Sequence, residues 1–409
     1  MENSRTKKEG VEDGARIYLD YAANAPLTFE VKTLISQLLG EYGNPSSIHK
    51  EGVQMRADIG SARKRVARCL EALADEIYFT SGSTEGLNLA IRGVVEKARE
   101  TNSKQHIISS AIEHPAIIET LKALERTGVE VDYLLPGRTG VVSSLDIRRA
   151  LKKETVLLAF SYVHSEIGTV LPLQEYIKEL RLFKKNITGE KFPYLLLDAT
   201  QAPLYHSLNV ERMSADLMVI DGGKIGALSG SGVLYVRRNI SLTPIMFGGG
   251  QEKGVRPGSQ NTLAIKVIAE ALEEAELDRK ESAKRVKECA DFFIRRLQSK
   301  VSSVIVNGED NNLSPHIISL CFPRVDAEWL VLQLDAAGVS VSRGSACKSG
   351  KGNESDVLRL INPSCAENSI RFSFGKKTTQ EELEKTIGIV ERLVGAGAPL
   401  SDDCYNGTS

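Results

Sequence analysis

Residues 193–201 read PYLLLDATQ, and residues 216–236 read DLMVIDGGKIGALSGSGVLYV. The runs LLL and LMVI are short, apolar and without alternation. An aspartate closes each of them, Asp198 and Asp221. Runs of this kind, bounded by turn residues, are strands buried on both faces. GVLYV (232–236) follows DLMVI after only a short Gly-rich connection. A parallel crossover needs a dozen or more residues, so this third strand is predicted to be an antiparallel neighbour.

Working outward, EIYFT (76–80), HIIS (106–109), VEVDYLL (129–135) and TVLLAFSYV (155–163) supply four more strands. The segments 84–100, 114–127 and 173–185 between strands show helical spacing. The alternation predicts an α/β fold with a large, mainly parallel seven-stranded sheet covered on both faces. From Leu263 to Lys300 the chain is charged and amphipathic, the pattern of a helical spine. Beyond it, HIISLCF (316–322), a helix near 326–337, VSVS (339–342), SIRFSF (369–374) and a last helix near 378–394 predict a smaller α+β domain. The expected division is a disordered tail (1–15), a large domain (16–262) whose N-terminal segment contributes to the small one, a small C-terminal domain (263–395) and a second disordered tail (396–409).

Composition narrows the function. The chain has 409 residues, with 52 Lys+Arg against 53 Asp+Glu. A nucleic-acid partner is not expected without a basic excess. The longest apolar runs fall far short of the roughly 20 residues that span a bilayer, so no membrane role is expected. The N-terminus has no apolar stretch of the secretory kind, and the expected location is the cytoplasm. Six cysteines are scattered, at 69, 289, 321, 347, 365 and 404. None forms a CxxC pair or has zinc spacing, so neither a metal site nor a disulfide frame is expected, and the thiols are expected reduced.

Ligands of open α/β sheets sit at the carboxyl ends of the strands. After EIYFT comes Ser81-Gly82-Ser83-Thr84-Glu85, a hydroxyl-rich turn before a helix. It suits a phosphate at the helix N-terminus, and it equally suits an ordinary capping box. After HIIS comes Glu113-His114-Pro115, with His114 at the sheet edge, where it could stack on a flat ring or shuttle protons. Asp198 closes an apolar strand and needs a cation, a donor or a helix to cap. Lys224, flanked by glycines past a strand, can reach into the cleft and become a nucleophilic amine through desolvation, and taken alone it reads more readily as a solvated loop lysine. Cys347 lies in a Gly/Ser loop beside Arg343 and Lys348, a setting for an exposed, partly thiolate sulfur. Arg371 projects from SIRFSF and could clamp a carboxylate or form a surface ion pair.

The joint order of these features resembles the cysteine desulfurase and selenocysteine lyase family, within the fold-type I enzymes that use pyridoxal 5′-phosphate. The matched blocks are Tyr18-Leu19-Asp20-Tyr21-Ala22-Ala23-Asn24-Ala25-Pro26, Gly43-Asn44-Pro45-Ser46-Ser47 with His49, Thr80 to Glu85, Glu113-His114, Asp198-Ala199-Thr200-Gln201, the lysine block, Gly248 to Glu252, Arg256 to Ser259, the loop around Cys347, and Arg371-Phe372-Ser373.

The resemblance implies that Lys224 binds the cofactor covalently, His114 stacks on its ring, Asp198 pairs with the ring nitrogen and Gln201 contacts the ring oxygen. It implies that Ser83 and Thr84 bind the phosphate, that Ser165 stands at the cofactor's oxygen side, and that Ser259 reaches the phosphate of the other subunit in a homodimer. Arg371 and the Asn44 region would hold the substrate carboxylate, and Cys347 would accept sulfur from L-cysteine or L-selenocysteine for a scaffold protein, as in iron–sulfur cluster assembly.

The chain also departs from the family pattern. Asp221-Gly222-Gly223-Lys224 stands where Ser-x-His-Lys is usual, Ala227-Leu228-Ser229-Gly230 replaces a Gly-Pro turn, and His164-Ser165-Glu166-Ile167-Gly168 replaces Asn-Asn-Glu-x-Gly. Arg343 takes the place of the first Ser of the Cys347 loop. An Asp221 side chain turned toward the phosphate would repel it. Three readings follow: a cysteine desulfurase, a selenocysteine lyase or other β-lyase or aminotransferase, and a catalytically weakened regulatory paralogue.

Overall fold

The computed structural model describes residues 16–101, 104–186, 192–308, 312–344 and 355–395. Its strands are β1 Ile17–Tyr18, β2 Ile77–Thr80, β3 His106–Ser110, β4 Glu130–Leu134, β5 Thr155–Ser161, β6 Tyr194–Asp198, β7 Leu217–Asp221, β8 Gly232–Val236, β9 Ile305–Val306, β10 Ile317–Cys321, β11 Val339–Ser340 and β12 Ser369–Ser373. Its helices are α1 Phe29–Leu38, α2 Lys50–Leu70, α3 Ser83–Arg99, α4 Pro115–Glu125, α5 Ser144–Ala150, α6 Leu173–Asn186, α7 Thr262–Lys300, α8 Ala327–Ala336, α9 Asp356–Ile361 and α10 Gln380–Gly395.

The large sheet has seven strands in the order β2-β8-β7-β6-β5-β3-β4. β8 pairs antiparallel with both β7 and β2, and the β7-β6-β5-β3-β4 ladder is parallel throughout. Leu195, Leu196 and Leu197 are at most 1 % exposed, as strands covered on both faces require. One face packs a core around Phe160, Tyr176, Met218 and Tyr235. The other face packs beneath α3 and α4, around Leu89, Ile91 and Ile117. The run TVLLAFSYV ends as a strand at Ser161, because the chain then turns back and Val163 bridges Val170.

The smaller sheet runs β12-β10-β9, and β1 pairs in parallel with β11. The N-terminal segment thus joins the C-terminal elements, and Ile17 and Leu19 sit in a separate core with Phe293, Phe322, Phe372 and Phe374. α7, 39 residues long, passes from one core to the other. Its Ala264 to Leu272 face packs in the large core, and its Val286 to Leu297 face packs in the small one.

The expectation of reduced thiols is corrected at one place. Cys321 and Cys365 form a disulfide between the end of β10 and the turn before β12. Spacing could not show this, because the two cysteines are 44 residues apart and meet only once β10 and β12 pair. We expect Cys365→Ser to lower the unfolding free energy by roughly 4 kcal/mol, the loop-entropy value for a closed loop of that size. Urea unfolding with and without reductant checks this, since reductant should bring the wild type to the midpoint of the variant.

Candidate active site

The carboxyl ends of β3, β5, β6 and β7 converge, and the opening segment Tyr18–Ala25 folds over them. Tyr18 Oη donates to the Asn24 carbonyl (2.8 Å), which shapes this segment into a turn. Lys224 leaves β7 through a single helical turn, Gly222–Lys224, and its Nζ donates to the Ala23 carbonyl. The Ala25 N–H donates to the Gly223 carbonyl (2.8 Å). Gln201 Nε2 donates to the Ala22 carbonyl (2.9 Å).

Asp198 is buried at the end of β6, and Oδ1 accepts the Thr200 N–H (3.0 Å). The turn-capping reading is therefore satisfied by one oxygen. Burial raises the carboxyl pKa, against the pull of Thr200 and the nearby His114. Such a rise marks a carboxylate short of positive charge. His114 caps α4, with Nδ1 accepting the Ala116 N–H (3.1 Å) and Pro115 as the first helical residue. Glu113 beside it is buried, and its Oε2 accepts the Ser161 N–H (2.9 Å) and hydroxyl. Burial pushes this carboxyl up to about 7, and Asp198 adds to the rise.

Arg371, on β12, is 3 % exposed at its side chain and forms an ion pair with Asp20 (2.9 Å). Its Nη1 donates to the Ser165 carbonyl (2.8 Å), and its Nε is buried with no partner among the described residues. The second Asp20 oxygen accepts the Ser342 hydroxyl (2.8 Å). Asp20 therefore links the arginine to the residues that lead into the Cys347 loop. Cys347 itself lies outside the described residues.

Several other site residues have definite places. His164 turns inward: its Nε2 pairs with the Ile112 carbonyl (2.8 Å), and burial drives its pKa down to about 4. It staples a loop as a neutral ring. Ser83 opens α3 after Gly82, whose φ of +141° is a conformation open to glycine. Its N–H donates to Asp221 Oδ2 (2.8 Å). Thr84 is exposed on the same turn. Glu85 reaches back to the Ser81 N–H (2.9 Å) and pairs with Arg256 (2.7 Å). Asn44 is exposed, and its Oδ1 accepts the Ser46 N–H (2.9 Å). Ser259 is exposed on the loop before α7.

One group escaped the sequence reading. His206 Nε2 contacts Ser314 Oγ (2.7 Å), Ser314 Oγ contacts His316 Nδ1 (2.9 Å), and His316 Nε2 meets Gln201 Oε1 (3.4 Å). His316 is buried, and Tyr205 stacks on it with ring centroids 4.3 Å apart. Burial keeps both imidazoles neutral, His206 near 4 and His316 well below its ordinary value. The chain of contacts gives the Gln201 amide a fixed sense, with its NH2 toward the site. Among the described residues no group of three or more His, Cys, Asp or Glu is placed to hold a metal, and no helix is long and apolar enough to cross a membrane.

The pattern of the aminotransferase class-V family matches residues 17–386. A protein of Dictyoglomus turgidum named cysteine desulfurase IscS is 39 % identical, over 92 % of this chain and 94 % of its own. A putative cysteine desulfurase of Bacillus subtilis is 35 % identical, over 93 % of this chain and 98 % of its own. Among solved structures, a NifS-like protein superposes with a TM-score of 0.85 at 27 % identity, covering 93 % of this chain and all of that one. On this match and these identities, the chain belongs to the aminotransferase class-V family, in its cysteine desulfurase branch.

Proposed function

We propose that this protein is a cysteine desulfurase that uses pyridoxal 5′-phosphate, converts L-cysteine to L-alanine and passes the sulfur to its own Cys347. One observation carries the reading. Lys224, Arg371 and Gln201 all reach one turn of backbone, Tyr18–Ala25, and Gln201 stands three residues after the buried Asp198, which lies within electrostatic reach of His114.

The ring end of the cofactor fits these residues. Asp198, short of positive charge, suits a protonated ring nitrogen, and His114 suits the ring face. Gln201, its amide set by His316, offers an N–H to the ring oxygen. Lys224 supplies the amine that holds the aldehyde. When bound, the cofactor supplies an electron sink for breaking bonds at the substrate's α and β carbons. The chain supplies the rest. Arg371 Nε, a buried donor without a partner among the described residues, would offer a hydrogen bond to the substrate carboxylate, and Lys224 Nζ would move the Cα proton. Cys347 Sγ bonds the substrate sulfur as the Cβ–S bond breaks, which leaves a persulfide on the enzyme.

The described cysteines do not compete for that role. Cys321 and Cys365 are joined. Burial raises the thiol pKa of Cys69, to about 11, and of Cys289. Neither presents a thiolate. Cys347→Ser should keep cysteine binding and lose sulfur transfer by a factor of about 10³ or more. An alanine assay with a sulfide acceptor checks this, and wild-type rates in the variant would remove Cys347 from the mechanism.

The same reading proposes a large domain (16–262) that holds the cofactor and a small one (263–395) that carries the acceptor loop. It proposes a homodimer in which Ser259 reaches the partner's phosphate. Ser259 stands exposed in the single chain, as do Phe29, Tyr42, Ile48 and Phe247. A scaffold protein as sulfur acceptor, iron–sulfur cluster assembly as destination and the cytoplasm as location complete the proposal.

A further inference from the structure

Asp221 is the last residue of β7 and stands three positions before Lys224. Its carboxylate spans two backbone donors. Oδ1 accepts the Gly223 N–H (2.9 Å), and Oδ2 accepts the Ser83 N–H (2.8 Å). Ser83 is the first residue of α3, a helix of 17 residues. The carboxylate therefore occupies an N–H at the positive end of a long helix dipole. A cofactor phosphate held by Ser83 and Thr84 would use the same donor. The departure of Asp221 from the family's serine thus has a definite geometry: the side chain does point at the phosphate seat.

Two arginines of neighbouring elements are already paired with acids. Arg256 is engaged with Glu85 (2.7 Å), and Arg63 with Glu252 (2.7 Å). Gly223 offers no side chain. It has little room to gain one, because a Cβ there would lie 2.9 Å from Asn24 Oδ1 and 3.1 Å from Ser229 Oγ. An incoming phosphate must either displace the carboxylate from Ser83 or lie against it. Two like charges about 4 Å apart, at an effective dielectric of about 20, repel by roughly 10³-fold in affinity.

We propose that Asp221 is the resident anion of the phosphate seat. It shifts the hold on the cofactor from the phosphate to the ring and Lys224, so that unphosphorylated pyridoxal is accepted nearly as well as pyridoxal 5′-phosphate. The proposal rests on the cofactor reading above. It makes Asp221 a determinant of cofactor specificity, placed by the fold at the one point where the two aldehydes differ.

The test titrates the full chain, stripped of cofactor, with each aldehyde. Bound aldehyde is followed by absorbance and by equilibrium dialysis. Wild type should bind the two with dissociation constants within about tenfold of each other. Asp221→Ser and Asp221→Asn should each tighten pyridoxal 5′-phosphate at least about tenfold and leave pyridoxal within about threefold. Asp221→Asn keeps an oxygen to accept the Gly223 N–H, so the turn survives, and the urea midpoint of the stripped chain confirms it. The proposal is overturned if wild type prefers the phosphorylated aldehyde by 10³ or more, or if both variants bind it no more tightly. Binding of neither aldehyde to any of the three chains would remove the cofactor reading together with the proposal.

Discussion

Lys224→Ala is expected to stop L-alanine formation from L-cysteine, with a loss of at least about 10⁴-fold. The side chain performs two tasks that no neighbour duplicates in position. It offers the amine at the end of β7, and it brings a basic nitrogen to the Tyr18–Ala25 turn, where Nζ meets the Ala23 carbonyl. The surrounding backbone does not depend on it. The Gly222–Lys224 turn is capped by Asp221 and tied to Ala25 through the Gly223 carbonyl. The melting temperature of the stripped chain should therefore stay within about 3 °C of wild type, a change below roughly 1 kcal/mol. A variant that keeps more than one hundredth of the wild-type rate would show that Lys224 is not the reacting amine.

Asp20→Ala should cost about 3–5 kcal/mol of folding stability, as removal of one partner from a buried ion pair does. Arg371 would remain as a buried guanidinium held, among the described residues, by the Ser165 carbonyl alone. The Ser342 hydroxyl would lose its acceptor as well. Urea unfolding measures the loss. The double variant Asp20→Leu, Arg371→Met should recover much of it, because a buried pair replaced by apolar groups of similar size is close to neutral. Catalysis should not recover in the double variant, which separates stability from substrate binding. A single-variant loss below about 1 kcal/mol would mean that the pair is wet and weak.

The large sheet was legible because its strands are continuous apolar runs, and two-face burial leaves that mark in the sequence. The antiparallel turn of β8 was legible from loop length alone. The order of Ser83, His114, Asp198 and Lys224 was legible because each stands at or just past the end of a strand. The contacts among them were not. Asp20 and Arg371 are 351 positions apart, and no local pattern ties a carboxylate in an opening turn to an arginine on the last strand. His206, Ser314 and His316 look like scattered polar residues until β10 passes beside the Ala202–His206 turn. The sequence posed the question of which way Asp221 turns, and only the packing of β7 beside the start of α3 answers it. Asn44, matched by motif, spends its side-chain oxygen on its own turn.

At about 1.5 Å per residue, the 39 residues of α7 make a rod roughly 58 Å long. Between Ala275 and Val286 none of its residues is fully buried, so the middle of the rod is less covered than its two ends. A beam clamped at both ends transmits rotation instead of absorbing it. One degree of tilt at one end moves the other by about 1 Å. Lys224 belongs to the body gripping one end and Arg371 to the body gripping the other. The stiffness of a single helix is thus one mechanical link between the element that carries the amine and the element that carries the guanidinium.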